Sequence, residues 1–255
     1  MDEPLRLSNL IPRQPRTYVF LGALSIVCVA GLVALHVLSR LFLASLTTDS
    51  KVAALDLDAE GNLASWFSFA VFFLAGQTAL VLRHLAGTTI LAVPDKHYRR
   101  RVRSGLLFTA CMCFTMSLDE GASLHEGFKE MIARIIGTPL YGDGSLYWIV
   151  PYFLLLAVMG CKLLRLMGAS PAGLMLLATG GLWALAIANQ LELFFSNAQL
   201  GIIMEESCEM LGQACLLGSL CLLGRQWIEA GAKHQSHAQP SPVRSQVMEL
   251  TASRG

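Results

Sequence analysis

The sequence predicts an all-α fold: a polytopic membrane helix bundle with six transmembrane helices. Hydrophobic residues make up 54% of the 255 residues and charged residues only 15%, whereas an average soluble domain has about 25% charged residues. In addition, six apolar stretches approach or exceed the roughly 20 residues that a helix needs to cross the hydrocarbon core of a bilayer. Both observations are typical of a membrane protein and argue against a soluble domain.

The predicted spans follow one another along most of the chain. A lead over residues 1–16 precedes a six-helix transmembrane domain over 17–228, and a tail covers 229–255. The first span is longer than the roughly 7–15 apolar residues of a cleavable signal, so it is expected to remain as a helix. The tail is rich in Ser, Gln, His and Ala, which predicts a disordered cytoplasmic segment. The six spans are predicted near residues 17–38, 63–83, 104–120, 146–166, 171–195 and 200–224.

The distribution of Lys and Arg predicts the orientation of the bundle. With six spans, nearly all of these residues fall on the face that holds both termini and the basic 83–103 loop. Because Lys and Arg are enriched in cytoplasmic loops, both termini are predicted to be cytoplasmic, which for a bacterial source means the inner membrane. Membrane lipids are then the expected partners; nothing in the sequence indicates nucleic acid, and the oligomeric state is left open. The exceptions among the 19 Lys and Arg residues are Arg40, Lys51, Lys129 and Arg134.

Two short runs carry ionisable side chains into or next to apolar segments. An ionisable group at membrane depth costs at least a few kcal/mol, so such groups are rare and usually functional. The sequence therefore predicts that these runs contain the functional site. They cover residues 117–126 and 204–210, and their ionisable residues are Asp119, Glu120, His125, Glu126, Glu205, Glu206 and Glu209.

Helix geometry predicts that the two runs lie in the same layer of the membrane. Asp119 lies 16 residues after Arg103, and Glu209 lies 16 residues before Arg225. At a rise of 1.5 Å per residue, both acids are about 24 Å from the basic face of a hydrocarbon core that is roughly 30 Å thick. Glu205 is one turn further out, whereas Glu206 points about 100° away on the helix. Few polar residues continue toward the basic face, so the pattern predicts a pocket near the outer face and not a channel.

The first run also predicts a break in the third helix, at Gly121. Ser123 and Glu126 match a capping box at the start of a short outer helix from residue 124. In that arrangement both residues have structural roles, and His125 is able to turn back toward the bundle. In an unbroken helix, His125 would instead point away from the face of Asp119.

Carboxylates and one imidazole are ligands that suit a hard or borderline divalent cation. Iron, manganese, magnesium or calcium is favoured over zinc, because nitrogen and sulfur ligands are few. His125 and Glu126 are assigned as catalytic residues, acting as a general base or as further ligands. The pattern thus predicts a metal-dependent membrane enzyme that acts on a lipid-like or small-molecule substrate from the outer leaflet. The predicted metal ligands are Asp119, Glu120, Glu205, Glu206 and Glu209.

Other interpretations of the two runs stay open. The acids would also suit a proton- or cation-coupled transporter or a non-catalytic assembly subunit whose helices are joined by polar contacts. The simplest alternative is that they cap helices in the headgroup region and face water. Neither the paired Glu-x-x-His motif of di-iron bundles nor His-Glu-x-x-His is present. His36 is expected to be structural, and Asp143, Glu192 and the acids of 49–60 are expected to be solvated.

Overall fold

In the computed structural model, helices are the only regular secondary structure among the residues that it describes. These are residues 7–43, 52–57, 59, 61–87, 95–137, 146–191, 193–195 and 197–238. Seven α-helices lie within these ranges: α1 Pro15–Leu38, α2 Leu63–Leu85, α3 Lys96–Ala122, α4 Leu124–Ile136, α5 Leu146–Met167, α6 Pro171–Gln190 and α7 Ala198–Ala238.

Five of these helices are long and apolar enough to cross a membrane, judged over the described residues. They are α1, which continues as a helical segment to Phe42, together with α2, α5, α6 and α7. A helical membrane protein is therefore supported, whereas the number of six spans stays a prediction. The third predicted span, α3, is not among the five because it begins with a basic stretch and ends with Asp119 and Glu120.

Small residues let the helices of the bundle approach one another closely. At Gly212 of α7, an added Cβ would lie 2.6 Å from Nε1 of Trp183 on α6. At Gly76 of α2, it would lie 2.8 Å from the ring of Phe114 on α3. The close approach at Gly212 sets the distance between α6 and α7 beside the site.

The start of α1 packs against the second half of α7. The Tyr18 hydroxyl donates to the carbonyl oxygens of Pro12, at 2.7 Å, and Cys221, at 3.1 Å. A Cβ at Gly224 would collide with Ile11 of the lead and Leu82 of α2. The lead, the end of α2 and this part of α7 therefore share one end of the bundle, and the C-terminal end of α3 and the N-terminal end of α7 lie at the other.

The far end of α1 is held by buried polar contacts. Nδ1 of His36 accepts a hydrogen bond from the N–H of Leu57 at 3.1 Å, which is the structural role predicted for this histidine. Arg40 donates to Asp56 at 3.0 Å, and the Asp56 side chain is 3% exposed. The prediction of a solvated turn is therefore wrong for Asp56, because the end of α1 supplies it with partners. Asp49, Asp58, Glu60 and Asp143 lie outside the described residues.

The last helix continues into the predicted tail. The tail was expected to be disordered from residue 229, but α7 extends to Ala238. Arg225 donates to Glu229 at 2.6 Å, an i, i+4 pair that favours helix across the predicted boundary. Residues 239–255, which hold Pro240 and Pro242, lie outside the described part of the chain.

Candidate functional site

A cavity of about 430 Å³ lies at the end of the bundle away from the lead. Its lining comes from α2 to α7, and it includes side chains from both ionisable runs. The structure thus brings together residues that are about 80 positions apart in sequence, as the counting of helix depth predicted. The predicted site residues that line the cavity are Asp119, Glu120, His125, Glu126, Glu205, Glu206 and Glu209.

The position of His125 follows from a sharp break between α3 and α4. The break occurs at Ser123, whose φ of 50° and ψ of 44° are left-handed, and not at the predicted Gly121. A left-handed residue other than glycine costs roughly 1–2 kcal/mol, so neighbouring contacts must hold it. The new helix starts at Leu124 as predicted, and the turn directs His125 back toward the end of α3.

Asp119 supplies the main contact that holds this break. Its Oδ1 accepts the backbone N–H of His125 at 2.8 Å, so a carboxylate of α3 caps the first turn of α4. The predicted capping box is therefore wrong in its partner, because Asp119 and not the Ser123 side chain makes the cap. Buried carboxylates require hydrogen-bond partners. The N–H of His125 is available to Asp119 because the first N–H groups of a helix have no acceptor within the helix itself.

The same carboxylate also orients the imidazole of His125. Asp119 Oδ1 lies 3.2 Å from His125 Nδ1, and Oδ2 accepts the hydroxyl of Tyr152 at 3.3 Å. The ring also contacts Trp148 in a tilted arrangement, with a distance of 4.9 Å between the two ring centroids. Asp119 is buried, so these contacts form where water competes weakly. The outcome is a carboxylate–imidazole pair with a defined ring orientation.

Glu126 lies on the other side of the His125 ring. Its Oε1 is 3.6 Å from His125 Nε2 and accepts Lys129 Nζ at 2.8 Å. The imidazole is therefore placed between two carboxylates, one buried and one more exposed. Each ring nitrogen of His125 therefore lies within 4 Å of a carboxylate oxygen.

The opposite wall of the cavity is formed by α7. Glu205 and Glu209 share a face one turn apart, as predicted. Glu206 lines the same cavity, although its position on the helix predicted a different neighbour. Gln213, which is 1% exposed, follows one turn further in. Like charges one turn apart on a helix are destabilising, so this wall favours a cationic partner.

The rest of the lining is mostly apolar and aromatic. A pocket of this volume falls in the range of about 300–1,000 Å³ that is typical of ligand sites. The lining thus combines acidic and other polar side chains with apolar and aromatic ones, a mixture that fits an amphipathic molecule. The apolar lining includes Phe72, Met116, Trp148, Ile149, Phe153, Leu156, Trp183, Ile187 and Ile202.

The predicted metal centre is not preformed. Within the described ranges, no group of three or more His, Cys, Asp or Glu side chains is arranged to hold a metal ion. Asp119 and His125 direct polar atoms toward each other, so Asp119 has the geometry of a positioning group. The carboxylates of Glu205, Glu206 and Glu209 still match the oxygen donors that a hard cation prefers. The assignment of metal ligands therefore stays a prediction.

Three residues of the site were missed in the sequence. Tyr152 and Trp148 lie one turn apart on α5 and reach Asp119 and His125, respectively. Tyrosine and tryptophan are common near membrane interfaces, so neither stood out as polar. Lys129 is three residues after Glu126, a spacing that permits the observed ion pair and was the available signal.

Asn189, a polar residue of the predicted 171–195 span, does not line the cavity. Asn189 is buried and donates through Nδ2 to the carbonyl of Gly201, joining the end of α6 to the first turn of α7. Glu192, which was expected to be solvated, lies outside the described residues.

Comparison with known proteins gives one match. The sequence model of the family described as "Domain of unknown function (DUF8692)" matches residues 19–223. The match covers well over half of the chain, which therefore belongs to this family. The comparisons with curated proteins and with solved structures both find no match.

Proposed function

We propose that this family member is a membrane enzyme whose outer-face cavity binds a divalent cation and an amphipathic, lipid-like substrate. One observation carries the proposal: the Asp119–His125 pair and the glutamates of α7 face one cavity, which also has apolar and aromatic side chains in its lining, in a helical membrane protein. Acids, an oriented imidazole and apolar walls are the combination that hydrolysis or oxidation of an amphipathic molecule requires.

His125 is the proposed general base. Asp119 holds Nδ1, which leaves Nε2 as the nitrogen that takes a proton from water or substrate in the cavity. Asp119 also stabilises the imidazolium that results, while Glu126 lies 3.6 Å from Nε2 and shares that charge. Asp119 thus acts as a positioning residue, and Tyr152 keeps its second oxygen in place.

Glu205, Glu206 and Glu209 would hold the cation, with Glu120 as a further oxygen ligand. Three carboxylates within five consecutive residues of one helix are stabilised when a cation neutralises them. When bound, a divalent cation supplies a Lewis acid and a more acidic water. In this arrangement most of the ligands come from α7 and the proton acceptor comes from α4, so the two functions belong to different helices.

The route to the cavity is proposed to lead from the outer leaflet. Helix α4 is strongly amphipathic: Phe128, Met131 and Ile135 are exposed on one side, while Lys129 and Glu126 pair on another. Such a helix fits the plane of a membrane interface, with its apolar side toward the acyl chains. A lipid-like molecule is therefore able to pass along α4 to His125 without leaving the bilayer.

The packing of α3 supports the proposed topology of six spans. Helix α3 packs between α2 and α5, and Leu106 and Cys113 are fully buried there. We take α3 as the sixth span, which puts both termini on the basic side. The basic residues then favour a cytoplasmic location for the termini, and a bacterial inner membrane is the proposed site.

The competing proposal, a proton- or cation-coupled transporter, has less support. A relay through the bundle needs polar groups that are free to exchange partners. The buried hydroxyls of Thr109, Thr179 and Ser219 instead donate to carbonyl oxygens of their own helices. Buried hydroxyls bonded in this way are typical of ordinary membrane helices.

Metal analysis of detergent-purified protein tests the cation part of the proposal. Wild-type protein is prepared without chelator and supplemented separately with iron, manganese, magnesium or calcium. Stoichiometric binding of one of them is expected, and the double variant Glu205→Gln, Glu209→Gln should lose it. Glu130→Gln is the matched control, because that side chain is 70% exposed on α4 and does not line the cavity. Wild-type protein that binds none of the four metals would refute this part.

A lipid assay tests the catalytic part independently. Wild-type protein and the His125→Gln variant are incubated with membrane lipid extract, and products are identified by mass spectrometry. A product formed by wild type should fall at least about 100-fold in the variant, within the range for loss of a general base. Equal product in both samples would exclude His125 as the base. Cation uptake into proteoliposomes that depends on Glu209 would instead favour transport.

A further inference from the structure

A second cavity, of about 650 Å³, lies between the start of α3 and the end of α5. It belongs to the basic end of the bundle and shares none of its lining with the carboxylate cavity. Within the described part of the chain, its charged lining residues are all basic and come from both helices. They are His97, Arg100, Arg101, Lys162 and Arg165.

The floor of this groove is apolar. Leu106 is fully buried, Val102 is 7% exposed, and Leu166 continues the surface on α5. Lys162 Nζ lies 5.3 Å from the centroid of the Phe108 ring, so its aliphatic stem runs along apolar surface while its charge remains at the rim. The groove therefore combines a cationic rim with an apolar floor.

The cationic character comes from side chains and not from the end of a helix. The N-terminus of α3 is already capped by Asp95, whose Oδ1 accepts the N–H of His97 at 2.8 Å. The four Lys and Arg side chains of the lining, by contrast, repel one another at short range. An anion with several oxygen atoms, bound between the helices, would relieve this repulsion.

We propose that this groove binds the headgroup of an anionic phospholipid from the leaflet on the basic side. Arg100 and Arg165 reach it from different helices, and arginine binds phosphate oxygens through two parallel hydrogen bonds. The apolar floor matches the acyl chains of a lipid, whereas a free phosphate has no apolar part to contact it. Basic pockets between membrane helices are typical sites for such headgroups. This proposal does not depend on the function of the carboxylate cavity.

The experiment measures thermal stabilisation of detergent-purified protein by three probes: phosphatidylglycerol, phosphatidylcholine and inorganic phosphate. The groove variant carries Arg100→Gln, Arg101→Gln and Arg165→Gln. The control variant carries the same change of charge outside the groove, at Arg13→Gln, Arg16→Gln and Arg134→Gln. At saturating concentrations, only phosphatidylglycerol should raise the midpoint of wild type and control, by roughly 5 °C, and the groove variant should lose this shift.

Single variants keep the test decisive if the triple variant fails to fold. Arg100→Gln and Arg165→Gln, one on each helix, should each weaken phosphatidylglycerol binding by about tenfold, the cost of a hydrogen bond to a charged group. Equal stabilisation of the groove and control variants would overturn the proposal. Equal stabilisation by inorganic phosphate would also overturn it, since the groove would then bind a soluble anion. Equal stabilisation by phosphatidylcholine would mean that the negative charge of the lipid is not recognised.

Discussion

Replacement of Asp119 by alanine should destabilise the protein by about 3 kcal/mol. The carboxylate caps α4 through the N–H of His125, accepts the hydroxyl of Tyr152 and lies beside the His125 ring. Loss of a helix cap costs about 1 kcal/mol, and a hydrogen bond to a charged group contributes roughly 1.5–3 kcal/mol. Three contacts of one group are not additive, so the expected total is close to 3 kcal/mol and not to their sum.

The assay is thermal unfolding in detergent, followed by far-ultraviolet circular dichroism. For a chain of this size, a loss of about 3 kcal/mol corresponds to a fall in midpoint of roughly 6–12 °C. The isosteric Asp119→Asn variant keeps an oxygen for the cap and should lose about 1 kcal/mol. Glu130→Ala on the exposed side of α4 is the control and should change stability by less than about 0.5 kcal/mol.

Two outcomes would refute the role given to Asp119. An alanine variant as stable as the Glu130→Ala control would mean that the carboxylate does not hold the break between α3 and α4. An asparagine variant as unstable as the alanine variant would mean that Asp119 stabilises the protein through its charge and not through the cap of α4.

Three further substitutions are checked by the same unfolding measurement. Tyr152→Phe removes one hydrogen bond of 3.3 Å and should cost about 1 kcal/mol, less than the aspartate variant; an equal loss would contradict the assigned geometry. Ser123→Gly should stabilise the protein by about 1 kcal/mol, because φ there is 50°, and destabilisation would argue against the left-handed turn. Gly212→Ala should cost roughly 1–3 kcal/mol, since its Cβ would meet the Trp183 ring at 2.6 Å. Gly22→Ala, with nothing within 4 Å, is its control and should be neutral or stabilising.

The sequence predicted the positions of most helices because apolar length and capping signals are local. Predicted span 63–83 corresponds to Leu63–Leu85, and 146–166 to Leu146–Met167. The meeting of the two acidic runs was also predictable, since a rigid helix converts residue number directly into depth. The predicted boundary at residue 229 falls inside α7, which extends to Ala238. The prediction followed the polar composition of the tail and did not consider the ion pair that Arg225 makes with Glu229.

What sequence could not provide were contacts that depend on how helices pack. Asp56 looked like part of a solvated acidic turn, yet its partner Arg40 is 16 residues away, beyond the end of α1. The role of Tyr152 depends on α5 lying beside the end of α3, which no local pattern reveals. In both cases the residue type was visible and the partner was not.

The reassignment of Asp119 has the largest consequence for the proposed mechanism. The count of helix depth alone predicted Asp119 to be one of several oxygen ligands in a layer of carboxylates. In the structure its two oxygens contact His125 and Tyr152, so a cation placed there would compete with the cap of α4. We therefore assign the proposed cation site to the glutamates of α7 and the proposed general base to His125 of α4. If this division is correct, removal of Asp119 should impair stability and proton transfer, while removal of Glu205 and Glu209 should impair metal binding and leave the fold of α4 intact.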